Sequence, residues 1–288
     1  MKKVLILGSY GMLGHLLNDY LSDGTDDITV YTLARKEDSI KVDFLVDLRD
    51  RDKTVEVLKT LKPDVIINCA GILNRVPCSQ ADLIFVNSFM PYFLAENTDV
   101  DATRIIQIST DCVFSGKKGW YSEYDEPDAI DPYGKSKALG ELNDGRNLTI
   151  RTSIIGPELN NNGVGLLHWF LNSHQKINGY QNVYWNGVTT LELAKAIKKY
   201  ISFPCTGITH LVGPHVISKL ELLETMNRVF YHDNGKSIQP ISLPMSDKSL
   251  APSSNGFSYE SPSYEKMLRE LKEWMEYKSE RYNHYSFN

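Results

Sequence analysis

The chain has 288 residues, of which 42% are hydrophobic and 23% are charged. This composition is ordinary for a soluble globular protein and excludes disordered, collagen-like and low-complexity architectures. The 31 Lys and Arg residues against 36 Asp and Glu residues give a net charge of −5, which excludes the broad basic surface that nucleic-acid binding requires.

The N-terminal segment predicts a buried strand and no targeting signal. The apolar run at residues 4–7 ends at Gly8, which makes it shorter than the apolar core of a signal peptide. No eighteen consecutive residues are apolar, so no membrane insertion is predicted. The four cysteines are too scattered for a disulfide framework and have no zinc-ligand spacing, so no metal is predicted either. We expect a cytoplasmic protein with reduced thiols.

Short runs rich in Val and Ile alternate with longer segments in which apolar residues recur every three or four positions. The short runs predict buried strands, at residues 4–7, 28–33, 64–68, 104–108, 148–152 and 208–212. The longer segments predict helices, at residues 12–21, 53–61, 80–96 and 132–142. Such alternation predicts a doubly wound α/β fold, in which helices cover both faces of a parallel sheet.

The pattern changes after residue 155. Residues 156–163 contain Gly-Pro and Asn-Asn-Asn-Gly, which indicate a loop. Further helices are predicted at residues 191–201, 219–229 and 264–277, the first of them after a capping box that joins Thr189 and Glu192. We therefore predict a nucleotide-binding Rossmann domain at residues 1–155 and a smaller C-terminal substrate lobe at residues 156–288. Residues 181–212 are expected to return partly to the Rossmann sheet.

Three glycines follow the first strand and open the first helix, in the spacing G-x-x-G-x-x-G from Gly8 to Gly14. A dinucleotide diphosphate needs such a turn, because glycine lets the backbone approach the phosphate oxygens and the helix N-terminus offers free N–H groups. The spacing alone is a weak signal, and its position after the first strand makes it specific. The predicted cofactor contacts in this segment are Gly8, Tyr10, Gly11, Met12 and Leu13.

The second strand is followed by Arg35, at the position where an acidic residue would bind the adenosine ribose of NAD. Because Arg35 can instead pair with a 2′-phosphate, NADPH is favoured over NADH as the cofactor. The strand at residues 64–68 is followed by the small residues Cys69, Ala70 and Gly71, which fit a backbone that passes close under the cofactor.

A Tyr-x-x-x-Lys pair, Tyr133 and Lys137, lies in the predicted helix at residues 132–142. Asp131 can cap this helix and Pro132 can occupy its first position, which places Tyr133 and Lys137 one turn apart on one face. The pair suits acid–base chemistry, because a nearby ammonium stabilises the phenolate form of tyrosine. We predict that both residues are catalytic and that Lys137 also holds the nicotinamide ribose.

The strand at residues 104–108 ends at the sheet edge where α/β proteins bind ligands, and hydroxyl and carboxyl side chains follow it directly. Thr110 is predicted to be catalytic, as the hydrogen-bond donor to the substrate carbonyl and to the negative charge that develops on it. Asp111 is near enough in sequence to help orient the substrate. The predicted substrate contacts are Thr110, Asp111, Cys112 and Tyr133.

These motifs resemble the extended branch of the short-chain dehydrogenase/reductase superfamily. Within it, the segments at residues 109–116, 121–123, 132–141 and 151–153 are similar to the dTDP-4-dehydrorhamnose reductases. The resemblance implies a Thr–Tyr–Lys triad at Thr110, Tyr133 and Lys137, and places Asp47 and Leu48 beside the adenine. It also implies reduction of the 4-keto group of a nucleotide-diphosphate-linked 6-deoxyhexulose, a step towards a cell-surface polysaccharide.

Alternatives to a reductase stay open. Cys112 lies two residues after Thr110, where GDP-fucose synthases place an acid/base cysteine, so an epimerase–reductase that uses Cys112 and His168 is one of them. A sugar-nucleotide 4-epimerase or 4,6-dehydratase is another, although Thr110 lacks the following Glu that a dehydratase needs. A non-catalytic NADPH-binding regulatory subunit is a third. The sequence does not disclose the sugar, the nucleotide or whether the chain forms a homodimer.

Overall fold

The structure is a computed structural model that describes residues 1–23, 27–36, 41–73, 77–203, 205–231, 235–253 and 259–286. The strands of these residues are β1 (Lys2–Leu7), β2 (Ile28–Ala34), β3 (Phe44–Leu45), β4 (Val65–Asn68), β5 (Arg104–Ile108), β6 (Leu148–Arg151), β7 (Ile154–Ile155), β8 (Lys176–Tyr180), β9 (Val183–Trp185), β10 (Val188–Thr189), β11 (Gly207–His210), β12 (Ile217–Ser218), β13 (Ser237–Ile241) and β14 (Ser246–Asp247). Their helices are α1 (Gly14–Ser22), α2 (Arg51–Leu61), α3 (Gln80–Ile84), α4 (Met90–Glu96), α5 (Pro132–Leu139), α6 (Leu166–Asn172), α7 (Thr190–Ser202), α8 (Lys219–Tyr231) and α9 (Tyr264–Tyr277).

Seven parallel strands form the central sheet, in the order β3-β2-β1-β4-β5-β6-β11. The predicted doubly wound α/β fold is therefore confirmed. The strand order reverses between β1 and β4, and sheets of this kind bind their ligands in the crevice beyond the carboxyl ends of the strands at that point.

Both faces of the sheet are buried, as the strand β1 shows. Its side chains alternate between the faces: Val4 and Ile6 pack in one apolar cluster with α1, while Leu5 and Leu7 pack in the other with α2 and α4. Since successive side chains of a strand point to opposite faces, a continuous apolar run such as residues 4–7 requires cover on both. The central sheet is therefore packed between two apolar layers.

The chain after β6 forms three small sheets, which pair β7 with β10, β9 with β12 and β14, and β8 with β13. The apolar side chains of this region, among them Phe170, Trp185 and Met226, belong to the same buried cluster as Val4 and Ile6. The helix α7 packs on α1, and β11 adds the seventh strand beside β6. The division into two domains at residue 155 stays a prediction.

The helix predicted at residues 80–96 is interrupted by a π-helical turn, Phe85–Phe89, between α3 and α4. Pro91 has no N–H group and cannot donate to the carbonyl oxygen of Asn87, where an α-helix would place a hydrogen bond. The backbone of Gly140 packs against that same oxygen so closely that a Cβ would not fit. The turn therefore makes a close contact with Gly140, the residue that follows α5, and the helix predicted at 132–142 ends at Leu139.

No helix in the described part of the chain is long and apolar enough to span a bilayer. Within the same residues, no group of three or more His, Cys, Asp or Glu side chains is arranged to hold a metal ion.

Candidate active site

The glycine-rich turn lies at the point where the strand order reverses. Gly8 has a φ of +73°, and a Cβ on it would come within 2.8 Å of the backbone of Ala70, so the turn after β1 touches the end of β4. A Cβ on Gly14 would collide with the carbonyl oxygen of Gly8, which also requires glycine. A Cβ on Gly11, in contrast, would meet only the Gly8 carbonyl oxygen, at 3.2 Å. Gly11 is therefore less closely packed than Gly8 and Gly14.

The other cofactor residues predicted in and after the turn have different surroundings. Met12 packs closely against Gly165 of the second lobe, and Tyr10 is half-buried. Leu13 and Leu48 are buried in the apolar clusters on the two faces of the sheet, so packing alone accounts for them.

An arginine that the sequence analysis missed, Arg49, lies beside the predicted adenine site. Its Nε and NH2 groups donate to Asp47 Oδ1 and Oδ2 at 3.0 and 2.7 Å, and its NH1 group donates to Asp82 Oδ1 at 2.8 Å. These bonds from Arg49 lower the pKa of Asp47, and the exposed Arg35 has a smaller effect in the same direction. The guanidinium groups of Arg35 and Arg49 therefore lie near the carboxyl ends of β2 and β3. Neither arginine belongs to a sequence motif that would identify its role.

The start of α5 has the predicted geometry. Asp131 Oδ1 accepts a hydrogen bond from Gly134 N at 2.9 Å, and Pro132 is the first helical residue. A Cβ on Gly134 would collide with the carbonyl oxygen of Cys112, so α5 lies directly against the 3₁₀ turn Asp111–Val113 that follows β5. This packing brings the phenol of Tyr133 close to the side chain of Thr110.

Tyr133 holds its proton at neutral pH. Burial raises the pKa of its phenol, the neighbouring Cys112 raises it further, and the hydrogen bond with Thr110 acts in the opposite direction. The hydroxyl of Thr110 donates to Asp111 Oδ1 at 3.1 Å and accepts from Cys112 N at 3.1 Å. A phenol in this state is a proton donor, which is the form that reduction of a carbonyl requires.

Lys137 connects the ends of two central strands. Its Nζ donates to the carbonyl oxygen of Ile108, the last residue of β5, at 2.6 Å. It also lies 3.9 Å from the position that a Cβ on Gly71, after β4, would take. Burial lowers the pKa of Lys137 to about 8, with the Glu141 carboxylate opposing the shift, so most of its ammonium is retained at pH 7.

A buried ion pair supports this edge of the site. Glu141 Oε1 accepts from Ser109 Oγ at 2.6 Å and from Arg151 Nε at 2.8 Å, while Arg151 NH2 donates to Glu141 Oε2 at 2.7 Å. The two side chains are only 5% and 2% exposed. The pair therefore fixes Ser109, the residue before Thr110, to the chain that follows α5. Glu141 and Arg151 lie in the segments at residues 132–141 and 151–153 that resemble the family, but no local signal indicates that they pair.

A second residue without a sequence signal, Lys219, lies near Asp111 although it is distant from it in the chain. It is the first residue of α8, and its Nζ lies 4.6 Å from the centroid of the Trp185 ring. Burial lowers its pKa to about 8, whereas the charge of the Asp111 carboxylate opposes that shift. Asp111 and Cys112 are thus close enough to interact with a cation from a distant part of the chain, which no local motif could have indicated.

Cys112 and His168, the two residues of the epimerase–reductase alternative, have other roles in the structure. Burial raises the pKa of the Cys112 thiol to about 12, and the Asp111 charge adds to this effect. The thiol stays protonated, which disfavours its use as a base. His168 Nδ1 is hydrogen-bonded to Tyr285 Oη at 2.8 Å, so this ring is engaged by the C-terminal segment.

Comparison with known families identifies the chain. Residues 1–277 match the family described as RmlD substrate binding domain. The chain belongs to the RmlD family. The resemblance to dTDP-4-dehydrorhamnose reductases found in the sequence is thereby confirmed.

Several relatives of this RmlD family member carry names from carbohydrate synthesis. Spore coat polysaccharide biosynthesis protein SpsK of Bacillus subtilis is 29% identical over 231 residues, which are 77% of each chain. A dTDP-4-dehydrorhamnose reductase of Aggregatibacter actinomycetemcomitans is 31% identical over 174 residues, 57% of this chain and 55% of that one. The match thus spans about half the length of the latter protein.

Two further proteins broaden the comparison. The crystal structure of dTDP-4-dehydrorhamnose reductase from Bacillus anthracis in complex with NADP superposes with a TM-score of 0.80 and 22% identity, over 95% of this chain and 99% of that one. Methionine adenosyltransferase 2 subunit beta of Danio rerio is 29% identical over 143 residues, 49% of this chain and 42% of that one. The first comparison shows a common fold. The second is with a protein whose name does not refer to carbohydrate synthesis.

Proposed function

We propose that this RmlD family member catalyses the NADPH-dependent reduction of the 4-keto group of a nucleotide-diphosphate-linked 6-deoxyhexulose, for the synthesis of a cell-surface polysaccharide precursor. The observation that carries the proposal is the contact between Thr110 and Tyr133, with Lys137 one turn further along α5, at the sheet edge beside the glycine-rich turn. The names of the relatives support the same chemistry.

The residues present fit a nicotinamide cofactor. The turn at Gly8 and Gly11 and the N-terminus of α1 would hold its diphosphate, since no side chain caps that helix. Arg35 is proposed to bind the 2′-phosphate. The adenine would lie near Asp47, whereas the ribose of the nicotinamide would lie near Lys137. The backbone from Cys69 to Gly71 would pass beneath the cofactor, as the contact between Gly8 and Ala70 allows.

When bound, the cofactor supplies the hydride that adds to the carbonyl carbon. The side chains of the protein supply the proton that the carbonyl oxygen takes up. Tyr133 donates its phenol proton to the carbonyl oxygen, and the Lys137 ammonium stabilises the phenolate that remains. The hydroxyl of Thr110 rotates from Asp111 towards the substrate oxygen and donates a hydrogen bond to it as negative charge develops there. Asp111 and Cys112 would then contact the sugar, and Lys219 would place a cation on its other side.

The test is a spectrophotometric assay of the purified protein. NADPH is mixed with dTDP-, UDP- and GDP-linked 4-keto-6-deoxy sugars in turn, and the loss of reduced-nicotinamide absorbance is followed. We expect consumption with at least one of these substrates. Tyr133→Phe should bind NADPH normally and lose about 10²–10⁴-fold in kcat, because general acid catalysis contributes that much.

The matched control is Tyr180→Phe, which changes a tyrosine that is 40% exposed on β8 and should leave kcat unchanged. Unchanged turnover in Tyr133→Phe, or no consumption of NADPH with any sugar of the panel, would contradict the proposal.

A second candidate function is that of a nucleotide-binding subunit of another enzyme. It is supported by the similarity to a protein named methionine adenosyltransferase 2 subunit beta. This alternative expects NADPH binding without turnover, and it gives no reason for Thr110, Tyr133 and Lys137 to lie together. The same assay therefore separates the two candidates.

A further inference from the structure

Residues 278–286 continue past α9 and return along α1, the helix whose N-terminus follows the glycine-rich turn. They lie beyond the part of the chain that matches the RmlD family, which ends at residue 277. Their contacts on α1 are spaced four residues apart and therefore share one face of that helix. These contacts are Lys278 Nζ with Asp23 Oδ2 at 2.5 Å, Arg281 Nε with Asp19 Oδ2 at 2.7 Å, and Tyr282 Oη with His15 Nε2 at 2.9 Å.

The contact at His15 extends into the glycine-rich turn. His15 Nδ1 lies 2.8 Å from the carbonyl oxygen of Gly11, and because a carbonyl can only accept, Nδ1 carries the hydrogen. Burial lowers the pKa of His15 to about 4, so the ring is neutral and its Nε2 has a free lone pair. Tyr282 therefore donates its hydroxyl hydrogen to Nε2. The result is a buried chain of two hydrogen bonds from Tyr282 through His15 to Gly11.

The other end of the segment reaches the opposite side of the turn. Tyr285 Oη accepts from Glu158 N at 3.0 Å, and Glu158 Oε1 accepts from Gly165 N at 2.6 Å. Met12 packs against Gly165. The C-terminal segment thus supports the glycine-rich turn both through α1 and through the loop that faces Met12.

We propose that residues 278–285 form a C-terminal strap that positions the glycine-rich turn for the cofactor diphosphate, with Tyr282 and His15 as the positioning residues. The proposal rests on the proposed binding of NADPH. In a trans peptide the C=O and the following N–H point in opposite directions. Holding the Gly11 carbonyl on the His15 side therefore aims the N–H of Met12 away from His15, on the opposite side of that peptide. That N–H is then preset to bind a phosphate oxygen, and no binding energy is spent on orienting it.

The experiment measures the affinity for NADPH directly, by its fluorescence change on binding, without any sugar. Tyr282→Phe removes one hydroxyl and keeps the ring, which is 2% exposed. We expect a Kd for NADPH about five- to tenfold higher, which corresponds to the loss of one buried hydrogen bond. The kcat at saturating NADPH should stay unchanged, because the strap touches neither Thr110 nor Tyr133.

The matched control is Tyr264→Phe. Tyr264 is also buried, lies on α9 and donates its hydroxyl to a backbone oxygen, that of His215. This variant should lose similar thermal stability and keep the wild-type Kd, which separates positioning from a general loss of stability.

Arg281→Gln is a second variant, on a side chain that is 24% exposed, and it should weaken binding about twofold. If both strap variants bind NADPH as the wild type does, the strap proposal is overturned while the proposed function stands. If the wild-type protein binds no nicotinamide nucleotide, both are overturned.

Discussion

Raising the pH should lower the kcat of reduction, because it removes the proton of Lys137. Burial lowers the pKa of this lysine from 10.5 to about 8, which corresponds to about 3 kcal/mol against the charged form. The ammonium is present below that pKa and lost above it, and in the proposed mechanism it is the charged form that stabilises the phenolate left on Tyr133. Activity is therefore expected on the acidic side of pH 8, and it should decline on the alkaline side.

The size of the decline follows from the pKa. At pH 9, one unit above it, only about one molecule in eleven keeps the ammonium, so kcat should fall about tenfold from its value at pH 7. Tyr133 does not produce this decline, because burial raises the pKa of its phenol above the usual value and keeps it protonated throughout the range.

The assay is kcat between pH 6 and pH 9.5 at saturating NADPH and keto-sugar and at constant ionic strength. NADPH deuterated at the transferred position shows by its isotope effect that the chemical step is being observed at each pH. Lys137→Arg is the matched variant, because a guanidinium stays charged at every pH of the assay. Its rate should be lower than that of the wild type and should not decline up to pH 9.5. A flat wild-type profile, or the same decline in Lys137→Arg, would refute the assignment.

Three other substitutions test separate parts of the site. Glu141→Gln leaves a buried guanidinium without its carboxylate and should lower the free energy of unfolding in urea by about 3–5 kcal/mol, whereas the exposed Glu265→Gln should change it by less than about 1 kcal/mol. Equal effects would contradict the role of burial. Arg35→Ala should raise the KM for NADPH about tenfold or more in initial-rate assays and leave that for NADH unchanged, so a parallel rise in both would disprove selection of the 2′-phosphate. Lys219→Met should raise the KM for the keto-sugar about tenfold without weakening NADPH binding, and an unchanged KM would remove Lys219 from the substrate site.

The features that the sequence predicted well depend on a few consecutive residues. Asp131, Pro132, Tyr133 and Lys137 lie within seven positions, and the rules for capping and helical spacing are sufficient to start α5 at Pro132 and to place Tyr133 and Lys137 on one face of it. The buried strands were predictable for the same reason. A continuous apolar run such as residues 4–7 places apolar side chains on both faces of a sheet, which indicates that both faces are covered.

The features that the sequence did not predict are contacts between distant segments. The π-helical turn depends on Gly140 packing against Asn87, and the pairing of Glu141 with Arg151 depends on how the chain returns after α5. A helical pattern of apolar residues carries no information about either contact. The helix at residues 80–96 was therefore predicted in the right place and with the wrong internal geometry.

Lys137 and Lys219 differ from Arg151 in how their charge is compensated, and this difference bears on function. Arg151 is buried against a carboxylate that satisfies it. Lys137 is buried and Lys219 is half-buried, yet in the described part of the chain neither forms an ion pair, and burial lowers the pKa of each to about 8. A buried charge without a partner destabilises a fold, so stability alone gives no reason for these two lysines. They converge on the same short segment, residues 108–111, with Lys137 at the end of β5 and Lys219 beside Asp111. Glu141 and Asp111 compensate these charges only in part, and a ligand that develops or carries negative charge beside them would add to that compensation, which is a physical reason for the substrate position proposed above.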